Sequence, residues 1–236
     1  MHYTHVLFDV DGTLLDFDQA QQSAFHMTFA QFGHCSTQKD LRSYDAINVA
    51  LWKQLERGEI TRERLTFERF ARILTEMKLS FDPAAFQHAY LENLAEGAAL
   101  IDGARETLQT LHGHCLLAVV TNGVAVSQRR RLAKSGLYGL FDAIVISEEI
   151  GFDKPDIRFF RQALHMCGDP AASRVVLVGD SLTADIAGGA TAGLDTCWFN
   201  PRGLALTGHN IPTYTIQHLS QVPHIAAGKE QVWQIQ

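Results

Sequence analysis

The sequence predicts an α/β fold, with a Rossmann-like three-layer core, a parallel sheet and an inserted all-helical cap domain. Two observations carry that prediction. Short, almost purely apolar runs alternate with helical patterns, as in a parallel sheet covered on both faces. A stretch of about 80 residues between the first and second of these runs holds only helical patterns. The chain of 236 residues is 46% hydrophobic and 19% charged, so it can form a packed core and is not disordered.

The predicted strands are Val6–Phe8, 115–120, 143–146, 175–178 and 196–199, with an edge strand at 213–216. Core helices are expected from Arg105 to Leu111, from Val126 to Lys134 with a stop at Ser135-Gly136, and from Leu182 to Ala192 with a stop at Gly193. Another should open at Lys154-Pro155, with Pro155 at the first helical position, and run to about Cys167 ahead of Gly168. The insert shows helical patterns over 20–32, 38–57, 62–78 and 83–95, divided at Gly33, Gly58 and Asp82-Pro83. These readings place a core domain at residues 1–15 and 97–236 and a cap domain at 16–96.

Composition narrows the function. Twenty Lys and Arg against 26 Asp and Glu give a net charge of −6, which excludes a general nucleic-acid binder. Four cysteines without a C-x-x-C pair read as reduced thiols of a cytoplasmic protein. The first residues lack the pattern of a signal peptide, and no apolar run is long enough to span a membrane. No G-x-G-x-x-G follows the first strand, which counts against a dinucleotide-binding domain.

The chemistry gathers where strands end, because open α/β sheets bind ligands at the carboxyl ends of their strands. The first strand runs into Asp9-Val10-Asp11-Gly12-Thr13, with two carboxylates on one side of an extended segment. The fourth ends in Gly179-Asp180, with Asp185 five residues further on. If the fold brings Asp9, Asp11, Asp180 and Asp185 together, they need a counter-charge, and Mg²⁺ suits an open carboxylate site. The second strand ends in Thr121-Asn122-Gly123, a hydroxyl and main-chain amides ahead of a helix that can cradle an anion. Lys154 leaves the third strand from an extended position set by Pro155. Carboxylates, hydroxyl, amides and lysine together are equipment for phosphoryl transfer through an aspartyl-phosphate.

These motifs, in this order, resemble the haloacid dehalogenase-like (HAD) hydrolases, specifically their Mg²⁺-dependent phosphatases with a helical cap. Within that family the chain looks like the YjjG-type pyrimidine 5′-nucleotidases. The resembling stretches are Leu51-Trp52, Gly58 to Thr61, Arg69-Phe70, Val145 to Gly151 and Gly179 to Pro201. The resemblance implies that Asp9 is the nucleophile. It implies that Asp11 is the general acid and base, with its carbonyl on Mg²⁺. Thr121, Asn122 and Gly123 would hold phosphate, and Lys154 would neutralise it. Asp180 would ligate the metal, with Asp185 in support. The implied reaction is hydrolysis of a small phosphate monoester, a pyrimidine nucleoside 5′-monophosphate, by a cytoplasmic monomer or dimer with no nucleic-acid polymer or membrane partner.

The alternatives within the fold are a sugar-phosphate phosphatase, a phosphomutase and a haloacid dehalogenase, the last disfavoured because it needs no acid at Asp11. A receiver-type signalling domain would be about half as long and lack the insert. Arg129-Arg130-Arg131 reads as a solvated helical face, and so do Arg62, Arg64 and Arg69, although each of these three can reach a nucleotide. His112 and His114 read as a surface loop, and Trp52, Phe67 and Phe70 as cap core.

Overall fold

A computed structural model describes residues 1–206 and 211–228. Its elements, in chain order, begin with β1 (His5–Phe8). The helices α1 (Phe17–Gln31), α2 (Gln38–Glu56), α3 (Arg62–Glu76) and α4 (Pro83–Leu94) follow. Then come α5 (Ala104–Leu111), β2 (Leu116–Thr121), α6 (Ala125–Lys134), β3 (Ala143–Ile146), α7 (Ser147–Ile150) and α8 (Ile157–Met166). The chain continues through β4 (Val175–Gly179), α9 (Gly188–Thr191), β5 (Asp195–Phe199), β6 (Tyr214–Ile216) and α10 (Val222–Ala227). The chain forms two compact units, Met1–Asp16 with Ala98–Gln236, and Phe17–Gly97.

The first unit is built on one six-stranded sheet in the order β3-β2-β1-β4-β5-β6, with every pairing parallel. The strands are apolar throughout because both faces are covered. Val6, Phe8, Leu117, Val119, Val176 and Val178 enter one core with Leu108, Leu132 and Val222. Their neighbours in the strands, Leu7, Ala118, Val120, Val175 and Leu177, enter a second with Phe159, Phe160 and Ala163. The alternation is the period-two geometry of a strand, and the result is three layers. Strand order reverses beside β1, so the carboxyl ends of β1, β2 and β4 lie side by side at the switch point where such sheets bind ligands.

A short clasp closes this unit where the chain leaves and returns. Leu15 and Leu100 form an antiparallel bridge, Asp16 N–H donates to Ala99 O at 2.9 Å, and Ile101 N–H donates to Leu14 O at 3.0 Å.

The second unit is all-helical. Thr37, Thr61 and Asp82 cap α2, α3 and α4, and Pro83 sits in the first turn of α4. Its core is aromatic, with Phe25, Phe29, Tyr44, Phe70, Phe86 and Tyr90 fully buried. Phe67, expected in that core, is instead 49% exposed on α3. Arg69 is not solvated. It is buried, its guanidinium lies over the rings of Phe70 and Tyr90, and it donates to Gln87 Oε1 at 3.0 Å.

Two helix starts in the core differ from expectation. Helix α8 opens at Ile157 rather than Pro155, because the Asp156 carboxylate accepts the Arg158 N–H at 2.8 Å and supplies the cap, while Pro155 follows a cis peptide bond. The segment after β4 begins as a wide π-type turn over Leu182–Ala187, in which the N–H groups of Asp185 and Ile186 both reach Ser181 O. Such turns recur at functional sites. The four cysteines are free thiols, Cys35 exposed and Cys115, Cys167 and Cys197 buried. Among the described residues no helix is long and apolar enough to cross a membrane.

Candidate active site

Lys154 organises the site. It is 2% exposed, and its ammonium donates to Asp9 Oδ1 at 2.7 Å, Asp185 Oδ1 at 2.6 Å and the Val120 carbonyl at 2.9 Å. One cation thus joins the ends of β1 and β2 to the turn after β4. The Asn122 side chain fixes the lysine's own backbone: its Oδ1 accepts the Lys154 N–H and its Nδ2 donates to the Lys154 carbonyl, both at 2.8 Å. The side chain of Asn122 thus serves Lys154, which leaves its main-chain amide for the anion cradle expected at the end of the second strand.

Asp9, Asp180 and Asp185 offer carboxylate oxygens that all lie within 4.8 Å of one another. Asp185 is seated by the Ser181 N–H, which donates to its Oδ2 at 3.1 Å. Gly179 makes room for it, since a Cβ there would lie 2.3 Å from Asp185 Oδ2. Trp198 Nε1–H donates to the Asp180 carbonyl at 2.9 Å and pins that loop to β5.

The electrostatics follow from this crowding. Burial pushes the Asp9 carboxyl well above its usual range; Lys154 opposes the shift, and the charges of Asp185, Asp180 and Asp11 add to it. Asp180 is pushed up to about 7 by desolvation first and by Asp185 next, with the Lys154 charge opposing the push. Burial alone would lower the Lys154 ammonium, but Asp185 and Asp9 reverse this and raise it, so it stays charged. With all three carboxylates ionised, one ammonium leaves two negative charges uncompensated, which is why the acids shift upward without a further cation. The donor set therefore suits a hard divalent cation, which binds oxygen ligands and supplies the missing charge.

Asp11 does not join that cluster. Its Oδ2 accepts from Gln128 Nε2 at 2.5 Å and its Oδ1 pairs with the Arg131 guanidinium, both residues of α6. Arg131 is 1% exposed, which corrects the reading of the triple arginine as a solvated face. Arg130 is the exposed member of the three, and Arg129 is half-buried and paired with Glu149. Sequence reasoning missed Gln128 and Arg131. The available signal was their spacing of three, on the stripe of α6 that also carries Leu132. Thr121 is buried, and its Oγ1 accepts from Gly123 N–H at 3.1 Å and Gln128 Nε2 at 3.2 Å. His112 and His114 lie exposed on the turn before β2, as expected of a surface loop, with His112 Nδ1 against Leu140 O at 3.2 Å.

The sequence profile of the haloacid dehalogenase-like hydrolases matches residues 3–193. The chain belongs to that family. Among this hydrolase's relatives, the pyrimidine 5′-nucleotidase YjjG of Escherichia coli is 34% identical over 95% of this chain and 98% of its own. The pyrimidine 5′-nucleotidase PynA of Streptococcus pneumoniae is 36% identical over 92% of both chains. The solved structure of the HAD-hydrolase YfnB of Bacillus subtilis, bound to magnesium, superposes with a TM-score of 0.91. That comparison has 39% identity and covers 96% of this chain and 99% of YfnB.

Proposed function

We propose that this HAD hydrolase is a Mg²⁺-dependent phosphate monoesterase that works through an aspartyl-phosphate on Asp9, with pyrimidine nucleoside 5′-monophosphates as substrates. The observation that carries the reading is the buried bridge from Lys154 to Asp9 and Asp185 beside Asp180, a carboxylate set two positive charges short. The metal comes from the donor chemistry and from YfnB's magnesium; the substrate class comes from YjjG and PynA.

Asp9, Asp180 and Asp185 would hold Mg²⁺, with the Asp11 carbonyl as a further oxygen. When bound, the ion neutralises charge on the phosphoryl oxygens. The protein's own groups do the rest. A carboxylate oxygen of Asp9 forms a bond to phosphorus as the ester P–O bond breaks. The electron pair of that bond goes to the leaving oxygen, which takes a proton from Asp11. Water then attacks phosphorus, gives a proton to Asp11 and releases inorganic phosphate, restoring the Asp9 carboxylate. Thr121, the amides of Asn122 and Gly123, and the Lys154 ammonium hold the phosphoryl oxygens, where the charge of the transition state is spread. Residues 16–96 are the inserted cap domain, which selects the substrate, and 1–15 with 97–236 are the catalytic core.

The test is a substrate panel with Mg²⁺: UMP, dUMP, dTMP and CMP, the purine monophosphates, and sugar phosphates, read as phosphate release. Higher kcat/KM on the pyrimidine nucleotides is expected. Preference for sugar phosphates would remove the nucleotidase assignment, and full activity in excess chelator would remove the metal.

A further inference from the structure

We propose that Gln128 and Arg131 are positioning residues that fix the Asp11 carboxylate for its acid and base steps. The inference rests on the reading of Asp11 given above. Helix α6 is polar, yet these two side chains, one turn apart, are 2% and 1% exposed. A buried guanidinium is tolerated only against a partner that meets its charge, and here that partner is Asp11. The two donors take different oxygens of one carboxylate, Gln128 on Oδ2 and Arg131 on Oδ1, so both its position and its rotation are set.

The clamp also reaches the phosphate side of the cleft. The Gln128 Nε2 that holds Asp11 donates to Thr121 Oγ1 at 3.2 Å as well. A single amide therefore sets the separation between the proton-transferring acid and the phosphate-binding hydroxyl. The turn after β2 is built around it. A Cβ at Gly123 would lie 2.1 Å from Gln128 Nε2 and 2.5 Å from its Cγ, so glycine at 123 leaves the space in which Gln128 lies. Both donors meet at Asp11, which lies outside the group of carboxylates proposed for the metal.

A positioning role has a kinetic signature that a merely structural one lacks. Asp11 matters most when the leaving oxygen needs a proton. A sugar alkoxide needs one; the nitrophenolate of p-nitrophenyl phosphate does not, although water attack on the phosphoenzyme still needs the base. The experiment measures Arg131→Met and Gln128→Leu, with folding checked by circular dichroism. Substrates are p-nitrophenyl phosphate and the nucleotide or sugar ester that the panel turns over fastest.

Misplacing the acid should cut kcat on the alkoxide ester by about 10²-fold, with KM within about threefold of wild type. With p-nitrophenyl phosphate the first step should persist as a rapid burst of nitrophenolate, approaching one equivalent per site. Arg131→Lys should recover part of the loss. If the two variants slow the burst and the alkoxide reaction equally, or slow neither, the clamp is overturned. Asp11→Asn separates the two levels. If it shows the leaving-group signature and the clamp variants do not, only the clamp falls; if Asp11→Asn lacks it too, the reading of Asp11 falls and the clamp with it. Should Arg131→Met fail to fold, Gln128→Leu and Arg131→Lys carry the same comparison.

Discussion

Replacing Lys154 with methionine removes one charge from the centre of the site while keeping a side chain of similar length. The ammonium is 2% exposed and touches two carboxylates and a carbonyl within 2.9 Å. Removing one partner of a buried ion pair costs about 3–5 kcal/mol, because the other charge is left without compensation. A chain of this size loses about 2–4 °C in Tm per kcal/mol, so the metal-free variant should melt about 6–20 °C below the parent at pH 8. The loss should shrink at pH 5.5, where Asp9 and Asp180, both already shifted upward, can take protons instead of carrying unpaired charge. Added Mg²⁺ should narrow the gap by supplying positive charge to the same oxygens. Thermal denaturation by circular dichroism, at both pH values with chelator or with Mg²⁺, measures all three effects. A metal-free loss at pH 8 below about 3 °C, or an equal loss at both pH values, would refute the placement of Lys154 as a buried counter-charge of this acid cluster.

Further predictions concern the neighbouring groups. Asp9→Asn should lower phosphate release by about 10³-fold or more while the fold persists; retention of a few per cent of the rate would remove Asp9 as nucleophile. Asp180 has an ordinary value of 3.8 and a folded-state value of about 7, so the folded metal-free protein holds a proton that the unfolded chain has released. Its contribution to stability is full below pH 3.8 and is lost as the pH rises to 7. The Tm in chelator should fall from pH 5 to 8, and Mg²⁺ should raise it more at pH 8 than at pH 5. Gly179→Ala places a Cβ 2.3 Å from Asp185 Oδ2. It should destabilise by about 1–3 kcal/mol and weaken Mg²⁺ binding measured by calorimetry, whereas unchanged affinity would mean that Asp185 yields without consequence.

The parts of this molecule that were legible in its sequence are those where a local pattern suffices. An apolar run of three to six residues that stops at Asp9, Thr121 or Asp180 announces both a buried strand and the end of it where candidate site residues stand, and the parallel sheet then places those ends together. What was hidden depends on partners distant in the chain. Arg131 looks like its exposed neighbour Arg130 until the fold sets Asp11, 120 residues away, against it. Nothing local to Asn122 shows that its side-chain amide meets the Lys154 peptide 32 residues on. Pro155 carries a helix-start signal that Asp156, a better cap one residue later, overrides. Arg69 reads as solvated because helical periodicity gives no hint that aromatic faces can accept a cation.

The clasp at Leu15 and Leu100 has an evolutionary corollary. By closing the sheet unit behind the excursion, it makes the intervening polypeptide a replaceable cassette whose size and composition can drift without disturbing the acids upstream. Lineages could thus exchange one insert for another on an inherited sheet, with the hydrogen bonds of Asp16 and Ile101 serving as the splice point.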